Sequence, residues 1–361
     1  MRRDKFCSWI IAVLIITAVT LILASGAAAS TFKVLHVFNW AKTPEGNLAM
    51  DSAGNLYGTT SAGGAYGYGV VYQLAHNADG TWKANILHSF TGQDGANPMA
   101  GVILDPAGNL YGTTSGGGPN INGFAGYGGV VYRLAPNPNG SWKVSVLHSF
   151  TGADGAWPAG GLTLDAAGNL YGTTTAGGLP CIGVCGGGVV FKLKPNSDGS
   201  WTESVLHSFD YGTSDGSAPR GELTFDAAGN LYGTTSWGGY YPGYGNGGIV
   251  YKLAPNPDGT WTESPLYNFK GGTDGASPDS SLVFDAAGNL YGTTSGGGCD
   301  GFGVVFKLSR TSSGWHETLL HTFSGYGAYP LGSLIMDAAG NLYGTASSGS
   351  NNGGLVFEIT P

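Results

Sequence analysis

One eight-residue phrase governs what this chain can fold into. AGNLYGTT occurs at Ala53, Ala107, Ala167, Ala228 and Ala287, and a near copy, AGNLYGTA, at Ala339. The aspartate two residues ahead of each copy serves as a marker: Asp51, Asp105, Asp165, Asp226, Asp285 and Asp337, at intervals of 54, 60, 61, 59 and 52 residues. A period in this range fits a four-stranded propeller blade. Each unit carries four strand signals, in the third unit at residues 162–164, 169–174, 188–193 and 201–209. Val, Ile, Tyr, Phe, Trp and Thr fill these runs, and Gly, Asn, Asp and Pro separate them. No long stretch has a 3.6-residue apolar period, so almost no helix is expected after the first residues. The last unit stops after its third strand, at residues 356–359, while residues 31–38 (TFKVLHVF) match the missing fourth. The expectation is an all-β, six-bladed β-propeller with four strands per blade. Strand 31–38 would complete the last blade and close the ring, leaving no long free edge.

The succession DAAGNLYGTT, GGVVFKL, a DG-x-W turn and VLHSF resembles the GloVer tandem-repeat (choice-of-anchor) family of exported proteins, over about residues 31–361. The resemblance implies an exported, propeller-like array of unassigned activity. Family members often carry a C-terminal surface anchor; this chain ends at Pro361 without one, so any anchoring is expected at the N-terminus. The pattern around the marker Asp is also similar, more weakly, to NHL-type six-bladed propellers, which bears on fold alone.

Residues 1–30 read as a targeting segment: Arg2, Arg3 and Lys5, then an uncharged apolar run at 8–24, then the small residues SGAAAS. A cleaved signal peptide and an uncleaved N-terminal anchor both fit. Residues 31–361 then form one domain of six repeats, secreted or held at the cell envelope, touching membrane only through an uncleaved leader. Without the leader, 12 Lys and Arg face 22 Asp and Glu, a formal charge of −10. No basic cluster exists, which argues against nucleic acid as a partner. Cys181 and Cys185 are spaced to bridge within one loop, leaving Cys299 unpaired.

Repetition separates shape from chemistry. A catalytic group is needed once, a turn in every blade. The marker Asp, one carboxylate without a D-x-D-x-D series, reads as a turn former rather than a calcium loop. The Tyr of NLYG reads as inter-blade packing, and His36, His88, His148, His207 and His321 on the outermost strands as buried or half-buried groups bonded to a loop. Gly243 to Gly248 fits G-x-G-x-x-G but runs into IVYKL, a strand and not a helix, so no dinucleotide site is read there.

Function is expected where the repeat breaks. The loops after strands two and four open on one face and hold most of the variation. Trp157, Trp237, Tyr240, Tyr241, Tyr244 and Tyr329 lie in them and are suited to stacking on sugars or anchoring a protein. Four residues before the marker stand Asn47, Gly101, Gly161, Glu222, Ser281 and Ser333; six before it stand Glu45, Met99, Ala159, Arg220, Asp279 and Leu331. Glu45, Asn47, Arg220, Glu222 and Asp279 are the polar departures, placed at the mouth of the central channel. Glu45, Glu222 and Asp279 are the carboxylates that would hold Ca²⁺ if they converge; no other cofactor is expected. No nucleophile–base pair is visible. The first reading is therefore an exported, monomeric, non-catalytic propeller binding an extracellular glycan or protein through its loop face. The alternatives are a metal-dependent hydrolase or lyase at the channel mouth, and a purely structural envelope protein.

Overall fold

A computed structural model describes residues 35, 36, 38, 41–119, 128–178, 186–210, 215–239, 247–324, 327–349 and 354–361, without the side chains of 41–43, 45 and 349. The chain divides into two units, Met1–Val37 and Phe38–Pro361. The leader and most of residues 31–37 lie outside the described residues, so neither export nor the expected closing strand is observed. Among the described residues no helix is long and apolar enough to cross a membrane.

The second unit is a six-bladed β-propeller. Blade one holds β1 (Ala41–Met50), β2 (Leu56–Gly63), β3 (Val70–His76) and β4 (Trp82–Ser89). Blade two holds β5 (Ile103–Leu104), β6 (Leu110–Thr114), β7 (Val130–Pro136) and β8 (Trp142–Ser149). Blade three holds β9 (Thr163–Leu164), β10 (Leu170–Thr174), β11 (Val189–Pro195) and β12 (Trp201–Ser208). Blade four holds β13 (Thr224–Phe225), β14 (Leu231–Thr235), β15 (Ile249–Pro255) and β16 (Trp261–Asn268). Blade five holds β17 (Val283–Phe284), β18 (Leu290–Thr294), β19 (Val304–Thr311) and β20 (Gly314–Thr322). These five sheets are antiparallel meanders in chain order. Blade six shows three strands among the described residues, β22 (Ile335–Met336), β23 (Leu342–Ala346) and β25 (Leu355–Ile359); β21 (Gly327–Ala328) pairs separately with β24 (Ser348–Gly349). The strand predicted after IVYKL's glycines is β15, so that motif opens a strand as the sequence indicates.

The repeated phrase builds a carboxylate-centred turn. In blade three, Asp165 accepts from the Ala167 and Asn169 N–H groups at 2.9 and 2.8 Å, the Asn169 amide at 2.7 Å and the Tyr171 hydroxyl at 3.1 Å. The same four bonds recur at Asp51, and the same Tyr bond at Asp337. These bonds offset desolvation and hold the Asp carboxyls below their ordinary range. The Gly after that Tyr makes room for an aromatic of the third strand: a side chain at Gly172 would collide with Phe191, and one at Gly112 with the Tyr132 hydroxyl.

Stability lies between blades. Tyr57 packs edge-on to Trp142 and Tyr111 to Trp201, both 6.2 Å between centroids. The Phe ending each fourth strand meets the next blade's aromatic, as in Phe90–Tyr132 at 5.0 Å and Phe150–Phe191 at 5.1 Å. Five inter-blade cores form in this way. Each fully buried Phe contributes about 2 kcal/mol. Phe38 makes the corresponding contact on Tyr72, at 4.8 Å. The seam between blades six and one carries no sixth core among the described residues. There Met50, Ile335 and Val356 are 67%, 68% and 78% exposed.

Candidate functional site

The two variable loop sets share one face, and hydrogen bonds fasten them together. In the loop after β4, Asn97 donates its N–H to Tyr68 of blade one and accepts from Ser115 of blade two. The loop after β8 repeats this through Trp157, which donates to Gly128 and accepts from Thr175. The prolines that follow lie against glycines ahead of the third strands, Pro98 on Gly69 and Pro158 on Gly129, keying each blade to the one before it. The opposite face carries the uniform Asp and DG-x-W turns.

From these loops the chain runs to the inner ring, and the ring positions meet. A side chain on Gly101 would collide with the Asn47 carbonyl, so glycine is what lets blade one come so close to blade two. Gly161 similarly leaves room for the Glu222 carboxylate, 3.1 Å from where a β-carbon would stand. Glu222 donates its N–H to Ser281 at 3.1 Å, and the hydroxyls of Ser333 and Ser281 are 2.9 Å apart. The Asn47 side chain of blade one, three blades away in the ring, comes near enough to the Glu222 carboxyl to lower its titration. Burial pushes the Glu222 carboxyl up to about 7, and the Asn47 side chain opposes that rise. A carboxyl with that value donates or accepts at neutral pH, which suits hydroxyl recognition and proton transfer alike.

The other residues singled out by sequence occupy several places. Asp279 is held by the hydroxyls of Ser236 and Ser295, the latter at 2.7 Å, and so has different partners from Glu222. Arg220 is exposed two residues before Glu222. Trp237 is 55% exposed and exchanges backbone bonds with Ser217, two residues ahead of Pro219. Trp157 is half-buried, and Tyr329 is exposed with its ring edge-on to Phe302 at 5.7 Å. Tyr240, Tyr241, Tyr244, Cys181, Cys185 and the Glu45 side chain lie outside the described residues. Among the described residues no three His, Cys, Asp or Glu side chains are arranged to hold a metal ion, and Cys299 is an exposed thiol.

The structure names the loop partners of three outer-strand histidines and adds a set of glutamates that the sequence reading did not single out. His88, His148 and His207 bond specifically to Asp94, Asp154 and Asp215, at 2.8, 3.0 and 3.0 Å. Glu203, Glu263 and Glu317 of the next blades face these clusters, or Tyr267 and Asp274 in the last case. Their identical offset, two residues after the DG-x-W or SG-W tryptophan, was the available signal.

The repeat itself decides the family. A family described as Gloeobacter/Verrucomicrobia repeat matches residues 43–257 and 181–361. The chain belongs to the Gloeobacter/Verrucomicrobia repeat family. No curated protein matches it. Among solved structures it is similar to a provisionally named 6-phosphogluconolactonase from Bacteroides uniformis, with TM-score 0.54 and 13% identity over 86% of this chain and 82% of that one. It is also similar to a provisionally named glucose dehydrogenase of Thermus thermophilus, with TM-score 0.51 and 15% identity over 89% and 97% of the two chains. A second provisionally named 6-phosphogluconolactonase, from Bacteroides fragilis, gives TM-score 0.51 and 16% identity over 85% and 79%. At such identities the likeness is one of fold.

Proposed function

We propose that this repeat protein binds a saccharide at the loop-face mouth of its axis. The observation that carries the reading is the inner ring around Glu222, whose carboxylate lies against Gly161, whose N–H is held by Ser281, and which the Asn47 side chain of blade one approaches. Ser281 and Ser333 add hydroxyls to the same ring, and Trp237 and Tyr329 expose aromatic surface on the same face. A polar floor with aromatics on its rim matches what a sugar offers: hydroxyls around an edge and an apolar C–H face. The site is single where the scaffold is sixfold, as a binding function requires and a purely structural role does not.

A printed array of neutral and uronate-containing oligosaccharides tests this. Wild-type protein is expected to bind a restricted set of sugars, and Glu222→Gln and Asn47→Ala to weaken that binding at least tenfold with thermal unfolding unchanged. A blank wild-type array from folded protein refutes the proposal.

A second reading rests on the Glu222 carboxyl near 7: a hydrolase or lyase that uses Glu222 as general acid–base. Slow chemical change of an array-binding sugar, abolished by Glu222→Gln with binding retained, would favour it over simple recognition.

A further inference from the structure

Among the described residues, only five non-glycine residues have positive φ: Asn97 (56°), Trp157 (56°), Ala218 (54°), Ser277 (54°) and Tyr329 (58°). All five precede the rim proline of their blade. Every other described residue in that region of backbone space is glycine. Glycine reaches it without steric cost, whereas a β-carbon crowds the following carbonyl. Glycine, of which the chain has 66, would meet this backbone demand without the steric cost, yet none of the five positions holds one.

The backbone at these five positions is fixed from both sides. Each N–H reaches a carbonyl of the preceding strand-two-to-three loop: Tyr68, Gly128, Gly187, Gly247 and Phe302, at 2.9, 3.1, 2.6, 2.8 and 2.9 Å. Each carbonyl accepts from the backbone of the residue after G-T-[TA]: Ser115, Thr175, Ser236, Ser295 and Ser347. The hydroxyls of these same five residues bond the same carbonyls at 2.9 to 3.2 Å. Blade packing therefore holds the left-handed conformation whatever the side chain is. The neighbours repeat as G-[AS]-x-P while the held residue changes from blade to blade.

We infer that this clamped pre-proline position is where each blade presents its ligand-reading side chain, with Trp157 and Tyr329 stacking on sugar rings. The inference rests on the saccharide reading of the axial mouth and names which rim residues do the reading. Where the position holds the small Ala218, the same blade exposes Trp237 instead, through the backbone pair Ser217–Trp237. Blades three, four and six thus each set one aromatic at the rim, and the polar ring of Asn47, Glu222, Ser281 and Ser333 lies four residues further along the inner chain. A rigid backbone under an aromatic lowers the ordering cost of stacking.

Trp157→Asn and Tyr329→Asn test the assignment, since Asn97 proves that blade two's position accepts asparagine. On the same oligosaccharide array, each variant is expected to lose at least tenfold in affinity while its melting temperature is held. Trp157→Gly, which removes the β-carbon as well, should bind as weakly as Trp157→Asn. If wild type binds, Glu222→Gln weakens it, and all three rim variants bind like wild type, the rim assignment is wrong and the axial site stands. If wild type binds nothing, both fall.

Discussion

Replacing Glu203 and Glu263 together by Gln probes the three-residue clusters between blades. Each of these glutamates keeps one carboxylate oxygen, Oε1, buried without a partner. Glu203 faces His148 and Asp154, and Glu263 faces Asp215 and His207. Burial first, then the neighbouring Asp, raises both carboxyls from 4.5 to about 7, with the His opposing. A raised folded-state value means stability that is full below the unfolded value and lost as pH climbs through the folded one. Each glutamate is therefore harmless to the fold at pH 4 and costly at pH 8. At about 1.4 kcal/mol per pH unit the ceiling is about 3 kcal/mol per group. Solvent reaches part of each side chain, which reduces the cost to about 1 kcal/mol apiece. The two lie in separate interfaces, so about 2 kcal/mol is recovered in the double variant at pH 8. In a propeller of this size that lifts the melting temperature by about 4 °C. Thermal melts by circular dichroism from pH 4 to pH 8 measure it. The gain should vanish at pH 4 and reach its plateau above pH 7. A gain of equal size at both ends, or a loss at pH 8, would show that these carboxylates are satisfied and the linkage argument is wrong.

Three further outcomes follow from the same structure. Tyr132 and Tyr251 bury hydroxyls with no partner, and sister blades place Phe191 and Phe306 at that position, so Tyr132→Phe and Tyr251→Phe should each raise the urea midpoint by about 1 kcal/mol of stability; a lowered midpoint would mean the hydroxyls are satisfied. Asp165→Asn should cost about 1–2 kcal/mol at pH 7 through its four accepted bonds. Because the Asp165 carboxyl is held below its usual 3.8, that deficit should shrink as pH falls below 4, which acid titration of both proteins checks. Asn47→Ala removes the side chain that restrains Glu222, so the Glu222 carboxyl should titrate higher than about 7 in a carbon-detected NMR titration; an unchanged or lower value refutes the approach of Asn47 to Glu222.

Much of this molecule was written locally. The marker Asp, its Gly and the following Tyr lie within seven residues of one another, so their turn and its bonds could be read straight from the chain, and their sixfold recurrence gave blade count and strand order. The Gly of NLYG and the paired aromatic of the third strand were legible for the same reason, since the hairpin brings them together. Even the inner-ring positions could be listed by counting back from the marker.

What counting could not supply was distance across the axis. Asn47 and Glu222 are far apart in sequence and come near each other only because the blades are arranged around a common axis. Asp279 stands in register with Glu45 and Arg220 by sequence, yet Ser236 and Ser295 take its oxygens, a competition that exists only once blades four and five are packed. The left-handed backbone at Trp157 and Tyr329 was equally hidden, because bonds from two different loops impose it and no local residue demands it. A repeated sequence therefore determined the wheel, through short-range turns and alternating strands. The packing of unlike blades decided which of the unmatched side chains come within reach of one another, because those contacts join residues far apart in the sequence.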